Sequence, residues 1–529
     1  MIDAGALTTQ AREIQMQDPA SEIEEFNRLK PNLQRIWADL QADPSYKHTS
    51  VIVPSLSVDQ EELAKVTGAS FYEERLMFAL IRLRSRNARV IYLTSQPVHP
   101  EIVDYYLQML EGVPVNHARQ RLLMMSVYDG SSRPLTEKIL ERPRLIARLR
   151  NSLGDAARAY LTCYNSTVLE RRLAVELGIP LNGVDPSLLH FGTKSGSREI
   201  FAAANVNLPL GYENLQSEDD IVGALSDLAI QRPGLKRAVV KLDEGFSGEG
   251  NGLFTYPAEL SDAAIRTELQ NLKWSSGTET YRSFLRKYAA MGGIVEEMIE
   301  ADEVRSPSVQ MRIHPDGVSV LVSSHEQVLG GSTGQVYLGC RFPANEEYRL
   351  DLQEQAKRIG AALSERGVIG RFGIDFLVSR KDGEEWASHA IEINLRMGGT
   401  TPPYHALEFL TGGRLESESG LFRTLGSDDK YYSATDNLKS PSYHGLLPED
   451  LFEIITRHGL GYRHATGTGV LFYMIGAVSQ YGKLGMTAIG NSPSQSQELF
   501  DRTVSVLDAE CEGGHGVPAP LFDRYITME

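Results

Sequence analysis

Two alternating segments, 371–378 and 391–396, flank Lys381-Asp382-Gly383, and this arrangement confines the stretch to an antiparallel hairpin. On the first segment Phe372, Ile374, Phe376 and Val378 share one face, and Asp375 lies on the other. On the second, Ile391, Ile393 and Leu395 oppose Glu392, Asn394 and Arg396. With the turn centred near Asp382-Gly383, Asp375 falls roughly opposite Glu392, where cross-strand Cβ atoms sit about 4.5–5.5 Å apart and like charges repel. A bound cation relieves that repulsion. Hard oxygen ligands with room for phosphate oxygens suit Mg²⁺, with Mn²⁺ as a substitute, and Asp375, Glu392 and Asn394 are the predicted ligands. The alternative is a solvated polar face on a half-buried hairpin. It fits less well, because Asp, Glu and Asn form strands poorly and cluster here on one side.

At 529 residues the chain is too long for one ordinary core and predicts three or four structural units. Its net charge of −16 argues against a general affinity for nucleic acid or anionic membrane, so any anion site must be local. Residues 1–34 are polar and acidic without an apolar signal core, and the longest apolar stretch, 470–478, is far shorter than a membrane span. A cytoplasmic protein is expected. Cys163, Cys340 and Cys511 are scattered and odd in number, which predicts buried thiols rather than a disulfide framework or a zinc site.

From 51 to 183 the pattern alternates strand and helix: strands at 51–53, 89–94, 122–128 and 160–164, helices at 72–86, 101–110, 137–149 and 168–177. Such βα repetition predicts a doubly wound parallel α/β sheet in a first domain, 1–183. A second unit of α+β character, 184–412, holds the polar motifs, with a glycine-loop lobe at about 237–299. Residues 414–446 are polar and irregular and read as a linker or surface excursion. The last unit, 413–529, adds an apolar strand at 469–478 and a helix at 494–509, a small αβ module.

Lys241 ends a strand-like 238–242, and Gly245, Gly248, Gly250 and Gly252 follow within a few residues. Such a loop brings backbone N–H groups close to phosphates while the lysine supplies a point charge. It is not a Walker sequence, in which lysine follows the glycines. Taken alone, the loop reads equally well as a flexible surface turn. Glu296, Glu297, Met298 and Ile299 stand where apolar alternation stops, and such a connection can offer adenine one carbonyl and one N–H. It can equally be an ordinary strand end with solvated glutamates. Gly330-Gly-Ser332-Thr-Gly334 matches a nucleophile elbow, but both flanks look extended, so a glycine-rich turn is expected. Arg312, His325, Arg341 and Arg371 are candidate substrate or phosphate contacts, each of which singly could be structural or solvated.

Taken in order, Lys194, Lys241 with its glycine loop, 295–299, Asp375 and Glu392-Ile-Asn394-Leu-Arg396 resemble the ATP-grasp superfamily. The resemblance covers about 184–412, and 51–183 is similar to the domain preceding ATP-grasp modules. It implies ATP held between two α+β lobes. Lys194 and Lys241 would hold phosphates, with Gly248 and Gly250 in the covering loop, and Glu297 and Ile299 would receive adenine. Asp375, Glu392 and Asn394 would bind magnesium, and Arg396, with Arg371 and Arg312, would face the reacting groups. Glu303 is the candidate ribose contact, although Asp302 and an apparent insertion around Arg305 blur the usual spacing. Tyr72-Glu-Glu-Arg75, Ser306-Pro-Ser-Val-Gln310 and the tail from Gly467 to Ser494 look like the pheganomycin-type peptide ligases.

The resemblance implies an ADP-forming carboxylate–amine ligase that activates an acid as its acyl phosphate. Its partners would be a small carboxylic acid and an amine or peptide, with a homodimer admitted. The rivals are an ATP-grasp phosphotransferase and a nucleotide-binding regulatory module without turnover.

Overall fold

The computed structural model describes residues 19–58, 63, 66–245, 250–274, 279–330 and 336–512. Four strands, β1 (His48–Val53), β2 (Ala88–Thr94), β3 (Leu122–Ser126) and β4 (Ala159–Cys163), form a parallel sheet in the order β3-β2-β1-β4. Both of its faces are covered. Ile52, Val90 and Tyr92 enter one core, and Val51, Val53, Ile91, Leu93 and Leu161 enter another on the opposite side. This is the doubly wound arrangement expected from the βα alternation. Two helices differ from expectation. The 72–86 helix is a 3₁₀ helix over Ala69–Arg84, and the 137–149 helix divides into Leu135–Leu140 and Pro143–Ser152. Pro143 has no N–H to bond back into the preceding turn.

A five-stranded antiparallel sheet follows, in the order β5 (Gly211–Leu215), β9 (Gly293–Glu297), β6 (Arg237–Leu242), β7 (Asn251–Thr255), β8 (Lys273–Trp274). Its core is built on Val240, Phe254, Phe284, Tyr288 and Val295. The glycine-rich segment joins β6 to β7, whose register sets Lys241 opposite Asn251.

The largest sheet carries β10 (Glu303–Arg305), β11 (Pro307–Ile313), β12 (Ser319–Gly330), β13 (Val336–Phe342), β14 (Gly370–Arg380) and β15 (Ala387–Asn394). Helix Arg349–Glu365 packs Leu352, Ala356, Ile359 and Leu363 against Val309, Met311, Phe372, Ile374 and Ile393. On β11, β14 and β15 the opposite face carries Ser308, Gln310, Arg312, Arg371, Asp375, Glu392 and Asn394, while Val322 of β12 and Cys340 and Phe342 of β13 enter the core shared with the carboxy-terminal strands.

The 414–446 stretch is not a linker throughout. Its Asp429–Lys439 segment is β18, largely buried, which pairs with β13 on one side and with β20 (Lys483–Gly490) on the other. The short strands β16 (Arg414–Leu415) and β17 (Phe422–Arg423) precede it. Strand β19 (Gly469–Tyr473) completes the edge beyond β20. The expected 469–478 strand ends at Tyr473, because Met474 adopts a left-handed conformation at φ 54° and a 3₁₀ turn follows. Cys163 and Cys340 are buried and Cys511 is half-buried, all free. Among the described residues no helix is long and apolar enough to cross a membrane.

Candidate functional site

The predicted hairpin forms, and Asp375 pairs with Glu392 in register. A bulge shifts the register at that point, so that Phe376 pairs with Ala390 and Ile391 is left over. Ala390, Ile393 and Leu395 enter the core, while Ile391 is only half-buried. The bulge therefore corrects the expected alternation at Ile391. It holds Glu392 and Asn394 on the polar face.

Asp375 accepts a hydrogen bond from Asn394 Nδ2 at 2.8 Å and another from Gln327 Nε2 at 2.7 Å. Arg396 Nη2 donates to Asn394 Oδ1 at 3.0 Å, so the side chains form the sequence Gln327–Asp375–Asn394–Arg396. Burial and then the facing Glu392 carboxylate push the Asp375 carboxyl up to about 6, against the opposing pull of these bonds and of Arg396. Such a carboxylate gains from a cation that satisfies it and Glu392 together. Among the described residues no group of three or more His, Cys, Asp and Glu side chains could by itself enclose a metal. Two carboxylates beside an amide fit a site completed by phosphate oxygens, the Mg²⁺ habit.

Lys194 reaches the hairpin from a helix that shares its core through Ile200 and Phe201 and whose Ser197 hydroxyl accepts from the Ile393 N–H at 2.9 Å. It opens the helix Lys194–Ala203, and its Nζ lies 3.6 Å from Glu392 Oε1. The helix is anchored at Asp243, which accepts from the Ser195 N–H at 2.9 Å and the Ser195 hydroxyl at 2.7 Å. Asp243 is also at the root of the glycine loop, and its own N–H donates to Gly292 O. The Lys194 helix, the loop root and the residue preceding strand β9 are thus tied together.

Lys241 is ion-paired with Glu296, which also lies 3.6 Å from Arg198. Glu296 is buried at 4% exposure and serves as the shared counter-ion of two cations. Glu297 is likewise engaged internally: its N–H donates to Leu210 O, its carboxylate accepts from Leu210 N–H at 2.9 Å, and Arg232 pairs with it at 3.1 Å. The Met298 N–H donates to Arg237 O. Ile299 follows directly at the mouth of the connection. Gly250 adopts φ 79°, which favours glycine, and Gly248 lies outside the described residues, as does Ser332.

Glu303 stands apart from the cluster. It is paired with Arg380 and Arg305 at the far end of β14, five positions beyond Asp375, and Arg380 holds its carboxyl below the usual range. Arg371 and Arg312 are cross-strand neighbours four residues from Asp375 in the other direction, on its face of the sheet. His325 is fully buried and bonded to the Tyr432 hydroxyl at 2.6 Å, and Arg341 meets Gln497. Gln327 and Asp243 were absent from the expected set; alternation along β12 carries a usable signal for Gln327, none marks Asp243. A cleft lined by Asn207, Asp351, Arg358, Arg380 and Trp386 lies on the helix side of the sheet, away from Asp375.

The family described as IQCH-like, ATP-grasp matches residues 187–278 and 254–418, and the PGM1 C-terminal domain family matches 450–503. An L-propargylglycine--L-glutamate ligase of Streptantibioticus cattleyicolor is 31% identical over 470 residues, spanning 87% of this chain and 94% of that protein. IQ motif-containing protein H of Danio rerio is 22% identical over 96% of this chain, which spans about half of that protein, 52%. Among solved structures, a biotin carboxylase from Campylobacter jejuni superposes with a TM-score of 0.54 at 13% identity, covering 88% of this chain and 96% of that one. The biotin carboxylase domain of the Hydrogenobacter thermophilus 2-oxoglutarate carboxylase, solved with MgADP, gives 0.51 at 12% identity, covering 88% and 93%. These two share the fold.

Proposed function

We infer, from the ATP-grasp family to which this chain belongs, that it is an ATP-dependent ligase forming a carbon–nitrogen bond between a carboxylic acid and an amine. The observation that carries this reading is the approach of Lys194 to Glu392, 3.6 Å apart, with Asp375, Asn394 and Arg396 beside them. A cation and a carboxylate pair set side by side frame a polyphosphate and its metal.

Lys194 and Lys241 would neutralise the phosphates, Lys241 exchanging Glu296 for them. The Ile299 N–H and the Glu297 carbonyl would take the adenine edge. Asp375, Glu392 and Asn394 would hold Mg²⁺, which when bound screens the charge between phosphate oxygens. Arg396 would meet the transferring phosphoryl group, where a preorganised charge favours the transition state. The acid attacks the terminal phosphorus through a carboxylate oxygen, ADP leaves, and the amine then displaces phosphate from the acyl carbon to give the amide. The relative named above joins two amino acids, and an amino acid on each side is the substrate class proposed here.

The test is to supply ATP, Mg²⁺ and candidate acids without amine and trap the acyl phosphate with hydroxylamine. A hydroxamate with ADP is expected. AMP with pyrophosphate would overturn the route, and a stable phosphoester in place of a hydroxamate would select the phosphotransferase.

A further inference from the structure

Arg312 on β11 and Arg371 on β14 face each other in register, on the side of the sheet that carries Asp375. Like charges set directly opposite destabilise a sheet unless something anionic lies between or beside them. Among the described residues neither guanidinium has a hydrogen bond or an ion pair. Arg312 lies over the Trp37 ring at 5.4 Å, a contact that leaves its charge in place. Burial, and then Arg371, bring the Arg312 guanidinium down to about 9, and burial lowers Arg371 as well. Glu408 is the acid that both guanidiniums feel, and it is already bonded to His405 at 2.9 Å. Arg82, a third cation felt by both, donates to Thr162 Oγ1 and to the Ser50 hydroxyl. Positive charge exceeds negative in this enclosure.

Arg371 lines a small cavity with Gln310, Ser323, Thr400, Thr401 and Tyr404. Ser323 is fully buried and its hydroxyl has no partner. Thr400 and Thr401 begin the eleven-residue helix Thr401–Thr411, and the Thr400 side chain makes no capping bond. The first turn of that helix offers the cavity no free N–H, since the Thr401 N–H donates to Gly398 O and Pro402 and Pro403 have none, so any anion there relies on side chains. Between Arg371 and Asp375 the face holds only Gly373, where an added Cβ would meet the Gln310 amide at 2.8 Å. The four strand residues from Arg371 to Asp375 span about 13 Å, part of it bridged by the arginine side chain.

We propose that the acid activated beside Asp375 and Glu392 carries a second carboxylate, a few carbons from the reacting one, which Arg371 and Arg312 hold with Ser323 Oγ as a further donor. The proposal rests on the ligase reading and narrows its acid to dicarboxylates, amino-dicarboxylates among them. Paired guanidiniums recognise a planar carboxylate through parallel N–H donors, and a monocarboxylate would leave them buried without an anion. The transferring phosphoryl group offers similar chemistry, and the experiment separates the two.

The full chain, loaded with MgADP, is titrated calorimetrically with glutarate and L-glutamate, and with butyrate and 4-aminobutyrate as their monocarboxylate counterparts. The same acids are then offered with MgATP and hydroxylamine. Dicarboxylates should bind about 100-fold more tightly or better, since a site built for a buried polar group rejects the analogue that lacks it. Arg371→Gln and Arg312→Gln should each raise the dicarboxylate KM by about tenfold or more and erase the discrimination, while Ser323→Ala shows a smaller change of the same kind. MgADP titration of each variant establishes that it is folded. Butyrate binding as well as glutarate overturns the proposal, and so does the absence of dicarboxylate binding. An Arg371→Gln variant that loses kcat equally for every acid assigns the pair to the phosphoryl group and also overturns it. Dicarboxylate binding retained without any hydroxamate sustains the pocket and sinks the ligase reading instead.

Discussion

Gln327 reaches Asp375 across an intervening strand. The two lie on β12 and β14, with β11 between them, and the bond passes beside Ser308, whose hydroxyl is buried without a partner. Gln327 therefore fixes the carboxylate from a strand that carries no other member of the Asp375–Arg396 cluster.

Gln327→Leu should raise the Asp375 carboxyl above its present value of about 6, because one of the bonds favouring the charged form is lost. A protonated Asp375 cannot serve a cation. MgADP affinity at pH 6.5 should fall by about tenfold and recover by pH 8.5. Calorimetry across that range is the measurement; an equal loss at both pH values would mean that Gln327 acts through packing.

Asp375→Asn should stabilise the protein without nucleotide. The folded-state carboxyl, raised to about 6 from 3.8, keeps its proton where the unfolded chain has released it. Its stabilising contribution is thus complete below about pH 4 and is lost as pH rises through 6. The stability of the variant should match the parent near pH 4 and exceed it at pH 7 by ~1–2 kcal/mol after allowing for water in the cleft, read as a higher melting temperature at pH 7. Turnover should be abolished. A variant that melts lower at pH 7 would show the pair to be structural.

Glu296→Gln leaves Lys241 without its buried counter-ion, while Arg198 keeps Glu213 at 2.8 Å. Breaking such a pair from one side costs about 3–5 kcal/mol, so thermal unfolding should move down sharply. MgADP should restore more stability to this variant than to the parent, because phosphates replace the missing charge at Lys241. Equal restoration in both proteins would separate Lys241 from the phosphates.

Arg396→Ala should keep near-normal ATP binding and lose the hydroxamate signal by about 100-fold or more, the scale for removing one charged stabiliser of a transition state. Since Arg396 also bonds Asn394, Arg396→Lys serves as the control for position, and partial recovery there is expected. An undiminished hydroxamate signal in the alanine variant would remove Arg396 from the chemistry.

The hairpin was legible because alternation over 371–378 and 391–396 depends on one local rule, that successive side chains point to opposite faces. The same rule misassigned Ile391, since a bulge adds one residue to one strand and nothing in the composition of 387–394 announces it. Glu296 and Glu297 stood out correctly as unusual acids at a strand end. Their partners Arg198, Leu210 and Arg232 come from distant segments, so their service as internal counter-ions was not readable from spacing. Strand β18 was missed for a related reason. Its polar residues Lys430, Ser433, Thr435 and Asp436 are buried by pairing with two other strands and by specific partners, such as Asn491 for Lys430 and Arg75 for Asp436. Local polarity read as solvent exposure.

Strand β18 also decides where this polypeptide can be divided. A protein shortened at residue 428 would lose the partner of β13 and leave that strand's N–H and C=O groups as an open template for a second molecule. The discarded piece would keep β18, β19 and β20 but would lose Tyr72, Arg75 and Glu74, which meet Lys483, Asp436 and Gly476. Neither fragment is a self-sufficient product of the gene. Expressed apart, each should aggregate, and co-expressed from two messages they should reassemble along the β13–β18 seam.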